Sequence, residues 1–287
     1  KMQFQLSAWR PGRYELANFS QNIQKLAAFD ENNNPLPFKK ITKDLWEVDT
    51  TGTMEITVTY NFYANQLDAG ACYLDEHQLY LNPVHCMFYI VDRMEEDYKI
   101  ALDIPKNYKI ASSMELEGNT LSVKGYDLLA ESPLICSDSL QHGTYEVDGI
   151  TFHLWFQGGC KPDWEKLNKD FTAFTKSQIK HFGEFPVDEY HYFFQITPYR
   201  SYHGVEHTKN TVLLLGPGEE DQVKLFYQLP EKVVAPVEKG SMLGTLELRM
   251  GGKTMRQIPL VAAEEVPTQS FFASVAESIF NWSQGDD

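Results

Sequence analysis

Short runs in which apolar and polar residues alternate dominate the first half of the chain. The run at 54–62 is the clearest, and 99–104 and 149–155 repeat it. A period of two residues puts every second side chain on the same face, which is typical of a half-buried strand. Turn-forming clusters such as 30–35 separate the runs. We predict that residues 1–160 form a mainly β domain, an antiparallel β-sandwich or saddle.

The pattern changes at about residue 160. Pro162 and Asp163 precede a stripe of apolar residues at helical spacing, and Gly183 follows it. Strand-like runs come next, at 190–196 and 211–215. Residues 161–220 are therefore predicted to be a small α+β segment that begins a second, incomplete domain.

A third region follows the Gly- and Pro-containing break at 216–221. Strands are predicted at 233–240, 244–250 and 257–262, with a hairpin turn at Gly251-Gly252. Apolar residues between 271 and 282 fall on one face of a short terminal helix. Residues 221–287 are thus predicted to be a small β domain that ends in an amphipathic helix.

The charge balance limits the classes of partner. The chain has 40 acidic and 25 basic residues, a net charge of -15. Nucleic-acid binding needs a basic face that replaces phosphate counterions, and anionic membranes attract basic segments. We therefore predict no nucleic-acid partner and no membrane binding by charge alone.

Cysteines and isolated histidines give no metal motif. The four cysteines form no C-x-x-C pair, although a disulfide between Cys72 and Cys86 stays open. Scattered histidines lie among the predicted strands, and we expect them to be ordinary exposed or hydrogen-bonded residues without ligand spacing: His85, His142, His153 and His191.

The segment His203-Gly204-Val205-Glu206-His207 carries the strongest chemical signal. Its H-x-x-E-H order matches an inverted zinc motif, which requires a helix that Gly204 and Val205 disfavour. Alternatively it is an extended loop at a sheet edge, where Glu206 offers a carboxylate to the α-ammonium group of a peptide. A solvated surface loop without function is the third interpretation.

Several motifs occur in a fixed order along residues 2–217. They are Trp9-x-Pro11-Gly12-x-Tyr14, Asp44-x-Trp46, the run 126–133, the run 182–186 with Tyr190, and Gly204-x-Glu206-His207-x-x-Asn210-Thr211. The series resembles the M61 glycyl aminopeptidase family, a branch of the thermolysin-like zinc peptidases. The resemblance implies an N-terminal β domain followed by the edge strand of a catalytic domain.

The same resemblance implies a role for the residues around Glu206. Glu206 would recognise the N-terminus of a peptide substrate, and Gly204, Val205 and His207 would border the cleft. Tyr199 and Tyr202 lie just upstream, where they either line the pocket or are ordinary loop residues.

The sequence departs from the family at the metal site. A complete family member is expected to bind zinc through a His-Glu-x-x-His helix, and this chain has no such sequence. Without two imidazoles and a carboxylate there is no Lewis acid to activate water. We therefore expect no cofactor in this chain and no peptide hydrolysis unless another segment completes the site.

Residues 229–282 resemble a different family. The motifs are Ala235-Pro236-Val237-x-Lys239-Gly240, Gly244-Thr245-Leu246 and the run 259–264. They are similar to the C-terminal β domain of D-alanyl-D-alanine carboxypeptidases of the penicillin-binding protein 5 type. In that family the terminal helix anchors to a membrane, but here the helix carries only Glu277 as a charge, so it makes a weak membrane-surface contact or packs on its own domain.

Two functions follow from these resemblances. The first is a portion of an M61-like zinc aminopeptidase that recognises peptide N-termini. The second is a non-catalytic binding or scaffold module of the cell envelope, which favours a bacterial periplasm or envelope location over the cytoplasm. Serine acylation is a third function that the sequence disfavours, because Ser177-x-x-Lys180 lies late in the predicted helix and lacks its partner motifs.

Overall fold

The chain divides into two compact units, Lys1–Pro217 and Gly218–Asp287. The computed structural model describes residues 1–10, 13, 15–216, 223–250 and 253–268. The predicted break after residue 216, the Gly251-Gly252 turn and the terminal helix at 271–282 lie outside the described residues. The backbone between Glu220 and Val223, which would show whether the two family-like parts are contiguous, also lies outside the described residues.

The first unit is mainly β, as the alternating pattern predicts. Its strands are β1 (Met2–Gln5), β2 (Ile23–Asp30), β3 (Phe38–Lys40), β4 (Leu45–Val48), β5 (Ile56–Phe62), β6 (Tyr73–Leu74), β7 (Gln78–Leu81), β8 (Tyr89–Ile90), β9 (Tyr98–Ala101), β10 (Lys109–Ser112), β11 (Glu115–Glu117), β12 (Thr120–Val123), β13 (Leu134–Ser137), β14 (Gln141–Val147), β15 (Ile150–Gln157), β16 (Glu189–Ile196), β17 (Tyr202–Glu206) and β18 (Asn210–Leu215). Its helices are α1 (Pro83–Cys86), α2 (Gly125–Ala130) and α3 (Trp164–Phe182), with one 3-10 turn at Phe19–Asn22.

Small antiparallel sheets make up residues 1–138. The sheet orders are β3-β4-β1-β8, β10-β13-β7-β6, β11-β12-β9 and β2-β5. Buried side chains from several of these sheets, such as Leu121, Leu134 and Cys136, form one continuous apolar cluster with α2. Cys72 and Cys86 are both buried and free, so the disulfide left open by the sequence is not formed.

A five-stranded mixed sheet of order β14-β15-β16-β18-β17 forms the rest of this unit. Its three central strands run parallel, and β14 and β17 are antiparallel edge strands. Phe194 packs with α3 on one face, whereas Phe193 packs against Tyr80 and the N-terminal sheets on the other. Gln195 Nε2 also donates to Gln78 Oε1 at 3.0 Å. The domain boundary at residue 160 stays a prediction.

Helix α3 confirms the helix predicted from the apolar stripe. Asp163 Oδ1 accepts a hydrogen bond from the backbone N–H of Lys166 at 3.1 Å, which caps the first turn. Gly183 ends the helix with a φ of 95°, a conformation that side chains with a Cβ disfavour. None of the described helices is long and apolar enough to cross a membrane.

The second unit contains one antiparallel sheet of order β19-β20-β21. Its strands are β19 (Val223–Gln228), β20 (Met242–Met250) and β21 (Lys253–Val261). The strand predicted at 233–240 is wrong: this segment is irregular, with a single bridge between Val237 and Val266. Pro236 has no N–H to donate to a ladder, which is one physical reason for the difference.

Candidate functional site

Strand β17 contains the Gly204-Val205-Glu206 motif and lies at the edge of the five-stranded sheet. The loop interpretation of this segment is wrong, because residues 202–206 pair with β18 in antiparallel register, in agreement with the edge strand that the M61 resemblance implies. Gly216 N–H donates to the Ser201 carbonyl and His207 N–H donates to the Asn210 carbonyl. Hydrogen-bonded pairs alternate along an antiparallel ladder. The backbone groups of Tyr202, Gly204 and Glu206 therefore point toward the free edge.

The side chains of β17 alternate between two faces of the sheet. Val205 is buried in the cluster that contains Tyr80, and His203 Nδ1 lies 2.7 Å from Asp68 Oδ1 on the same side. Strand alternation places Glu206 on the opposite side, where its charge acts on Tyr190. The inverted zinc motif is thus excluded, since His203 and His207 lie about 13 Å apart along a strand and Glu206 faces away from both.

A cavity of about 580 Å³ follows the free edge of β17. It is lined by Arg10, Arg13, Asp68, Tyr202, His203, Gly204, Val205 and Glu206. Four of the predicted site residues therefore line one cavity: Tyr202, Gly204, Val205 and Glu206. The other four, Arg10, Arg13, Asp68 and His203, were missed as site residues, although a charged residue between Trp9 and Pro11 was a usable signal.

The other two predicted residues lie elsewhere. The His207 side chain is 5% exposed, and its Nδ1 lies 3.3 Å from Glu131 Oε2. Neighbouring Asn210 donates to the Glu131 carbonyl at 3.1 Å, so both residues attach this sheet to the N-terminal sheets. Tyr199 is half exposed in the loop before β17 and does not line the cavity.

Three residues on β15 and β16 form a cluster that sequence reasoning missed. The parallel register places His153 beside His191, and their rings stack 4.4 Å apart. Glu189 Oε1 lies 2.7 Å from His153 Nε2 and 3.3 Å from His191 Nε2. Three potential ligand atoms thus lie within 4.8 Å of one another, although the spacing of these residues along the sequence gives no metal motif.

This cluster is nevertheless a poor metal site as arranged. The indole N–H of Trp155 donates to His191 Nδ1 at 3.2 Å. Indole nitrogen is only a donor, so the proton of a neutral His191 is on Nε2, the atom that faces Glu189. A ligating histidine normally donates through its other nitrogen, which His191 does not do here.

The residues around the β17 cavity do not fit zinc either. His203 is the single imidazole among the described residues that line it, and Asp68 occupies its Nδ1. A catalytic zinc site uses three protein ligands and one open position. Ser177 and Lys180 are exposed in the last turns of α3 and line no part of this cavity.

Comparison with known families supports the two resemblances drawn from the motifs. Residues 1–138 match the Peptidase M61 N-terminal domain. Residues 205–268 match the penicillin-binding protein 5 C-terminal domain, a match that begins within β17. The relation to M61 peptidases is therefore confirmed for the N-terminal sheets.

Similar proteins agree with both matches. An aminopeptidase N family protein from Idiomarina loihiensis has a solved structure with a TM-score of 0.71 and 25% identity, covering 76% of this chain and 38% of that chain. D-alanyl-D-alanine carboxypeptidase DacA of Escherichia coli is 32% identical over 72 residues, 25% of this chain and 18% of that protein. DacC of the same organism is 36% identical over 59 residues, 20% of this chain and 15% of that protein.

The chain thus spans less than two fifths of the solved relative and less than one fifth of either curated relative. Its described residues include the β17 edge but no arrangement that fits a catalytic zinc. The chain carries a segment related to the M61 peptidase N-terminal domain, followed by a segment related to the penicillin-binding protein 5 C-terminal domain.

Proposed function

We propose that this chain supplies the edge of an M61-like aminopeptidase cleft that recognises the N-terminus of a peptide. The observation that carries the proposal is the outer edge of β17, where the backbone groups of Tyr202, Gly204 and Glu206 face the cavity and pair with no strand among the described residues. An extended peptide adds to such an edge as a further strand. Main-chain hydrogen bonds then supply affinity without selecting a sequence.

Glu206 gives this edge its selectivity for a free N-terminus. Its side chain is exposed beside the cavity, at the end of the strand. A carboxylate makes a charge-assisted hydrogen bond with an α-ammonium group, which an internal peptide segment lacks. Gly204 leaves the middle of the edge without a side chain, so a peptide backbone can approach closely.

Hydrolysis is not part of this proposal. The cavity does not offer the ligand set of a catalytic zinc, and the sequence has no His-Glu-x-x-His. Zinc and the nucleophilic water would come from a segment that this sequence does not contain. This chain by itself is expected to bind peptides and to leave them intact.

Calorimetry with Gly-Gly-amide tests the role of Glu206. We expect Glu206→Gln to weaken binding about tenfold, the effect of removing the charge from one hydrogen bond. Glu146→Gln is the matched control, because Glu146 is exposed on β14 at the opposite edge of the same sheet. The wild type should bind N-acetyl-Gly-Gly-amide no more tightly than the Glu206→Gln variant binds Gly-Gly-amide. Equal affinity of the wild type for the acetylated and free peptides would contradict the proposal.

The match to penicillin-binding protein 5 favours a second candidate, a binding or scaffold module at the bacterial cell envelope. Residues 205–268 carry this match and include the whole β19-β20-β21 sheet. Co-sedimentation with peptidoglycan and with liposomes tests it. Recovery of all the protein in the supernatant would count against this candidate and leave the peptide-binding proposal untouched.

A further inference from the structure

Arg10 is a buried cation beside the free edge of β17. Only 9% of the residue is exposed, and its guanidinium lines the same cavity as Glu206. The group packs directly on Gly70, where an added Cβ would overlap it. The side chain is therefore held at one position by its surroundings.

No ion pair among the described residues includes this guanidinium, although the Asp68 carboxylate lines the same cavity. Asp68 is the acidic neighbour, but its Oδ1 accepts from Gly70 N–H at 2.9 Å and lies 2.7 Å from His203 Nδ1. Arg13 lines the same cavity but is exposed and already paired with Glu15. Arginine has five donors, and a buried charge normally has a partner. Arg10 is thus prepared for an anion that enters the cavity.

The two faces of β17 offer opposite charges. Glu206 lies on one face of the strand, whereas Arg10 lies near Asp68 and His203 on the other. A peptide paired with an edge strand directs alternate side chains to alternate faces. One short peptide can therefore place its ammonium group at Glu206 and a carboxylate at Arg10. A volume of about 580 Å³ is within the range of pockets that hold such ligands.

We propose that Arg10 binds a carboxylate of the peptide whose N-terminus is bound at Glu206, so that the cavity selects short carboxylate-bearing peptides. This inference rests on the proposed function and adds the substrate class. The carboxylate comes from the C-terminus of a dipeptide or from an acidic side chain next to the N-terminus.

Calorimetry on the full chain with four probes tests the inference. Gly-Gly-amide is the reference, Gly-Gly adds a terminal carboxylate, and Asp-Gly-amide and Gly-Asp-amide each add an acidic side chain. We expect at least one carboxylate-bearing probe to bind about tenfold more tightly than the reference, the contribution of a charge-assisted pair. The probe that gains identifies the source of the carboxylate. Equal affinity for all four probes in the wild type overturns the proposal without any variant.

Variants assign the effect to Arg10. Arg10→Gln should remove the gain from the carboxylate, whereas Arg93→Gln, at an exposed arginine that does not line the cavity, is the matched control and should retain the gain. Retention of the gain in Arg10→Gln, or its loss in Arg93→Gln as well, overturns the assignment. If Arg10→Gln does not fold, the wild-type comparison still decides. A different result separates the two proposals. If binding of Gly-Gly-amide depends on Glu206 but no carboxylate increases affinity, this inference is rejected and the proposed function stands.

Discussion

At the scale of single residues, buried histidines make the stability of this chain depend on pH. Burial above all, together with the neighbouring His153 and His142, lowers the pKa of His191 from its usual 6.5 to about 3. Burial and the nearby Arg10 likewise lower the pKa of His85 to about 3. Both side chains are therefore neutral in the folded chain at any pH above about 4.

The sign of the effect follows from proton binding. Below pH 6.5 the unfolded chain takes up a proton on His191 that the folded chain does not bind. Neutral His191 contributes its full stabilisation at a pH above the pKa that it has in the unfolded chain. This contribution is lost as pH falls toward the pKa that it has in the folded chain. Each such histidine lowers the free energy of unfolding by about 1.4 kcal/mol per pH unit in this window.

His191→Asn tests this dependence. The amide oxygen of Asn can accept the Trp155 indole N–H in place of His191 Nδ1, but Asn does not titrate. We expect the free energy of unfolding of the variant to fall less steeply between pH 6 and pH 4, by about 1.4 kcal/mol per pH unit. Urea titrations at several pH values measure it. Parallel pH profiles for the two proteins would show that His191 is protonated in the folded state.

At the scale of secondary structure, the contact between α3 and β14 fixes the layer that covers the five-stranded sheet. Trp164, in the first turn of α3, packs on Gly143 of β14, where an added Cβ would overlap the indole ring. Tyr145 Oη and Thr175 Oγ1 form a buried hydrogen bond of 2.9 Å between the same elements. The small residue on β14 therefore sets how closely the helix approaches.

Gly143→Ala is expected to destabilise the chain by about 1–3 kcal/mol, the cost of overpacking a well-packed contact. Gly159→Ala is the matched control, because a Cβ there meets no atom within 4 Å and should change stability by less than about 0.5 kcal/mol. Urea unfolding followed by tryptophan fluorescence compares them. A Gly143→Ala variant as stable as the control would show that α3 shifts at little cost.

At the scale of the whole molecule, the three large apolar clusters of the described residues and the candidate site belong to the first unit. The three buried clusters draw all their members from residues before Gly216. The cavity is also lined by residues of this unit alone. The second unit contributes the β19-β20-β21 sheet and most of the match to penicillin-binding protein 5, which begins at residue 205.

A chain shortened to residues 1–216 is therefore expected to fold and to bind Gly-Gly-amide as the full chain does. Calorimetry and a circular-dichroism melt measure both properties, with Tm expected to change by no more than about 4 °C. Any envelope co-sedimentation of the full chain should disappear with the second unit. Loss of peptide binding in the shortened chain would contradict placing the whole site in the first unit.

Local patterns were enough to predict the mainly β character of the chain, helix α3 and several of the strands. A period of two predicted β5 and β15, and apolar spacing with Asp163 and Gly183 at the ends predicted α3. These signals arise within one element, because the backbone period decides which side chains share a face. The motif series also gave Glu206 and the M61 resemblance without any knowledge of tertiary contacts.

Pairings between distant segments were decided only by the tertiary structure. Strand β17 exists because residues 202–206 pair with β18, although Gly204 and Glu206 are weak strand formers. His153 and His191 meet through the parallel register of β15 and β16. Arg10 reaches the β17 cavity because packing on Gly70 holds it there. The sequence by itself determined the mainly β character, helix α3 and the motif around Glu206, since these depend on neighbours along the chain. The edge strand, the histidine cluster and the buried Arg10 depend on contacts across the fold, which local periodicity does not encode.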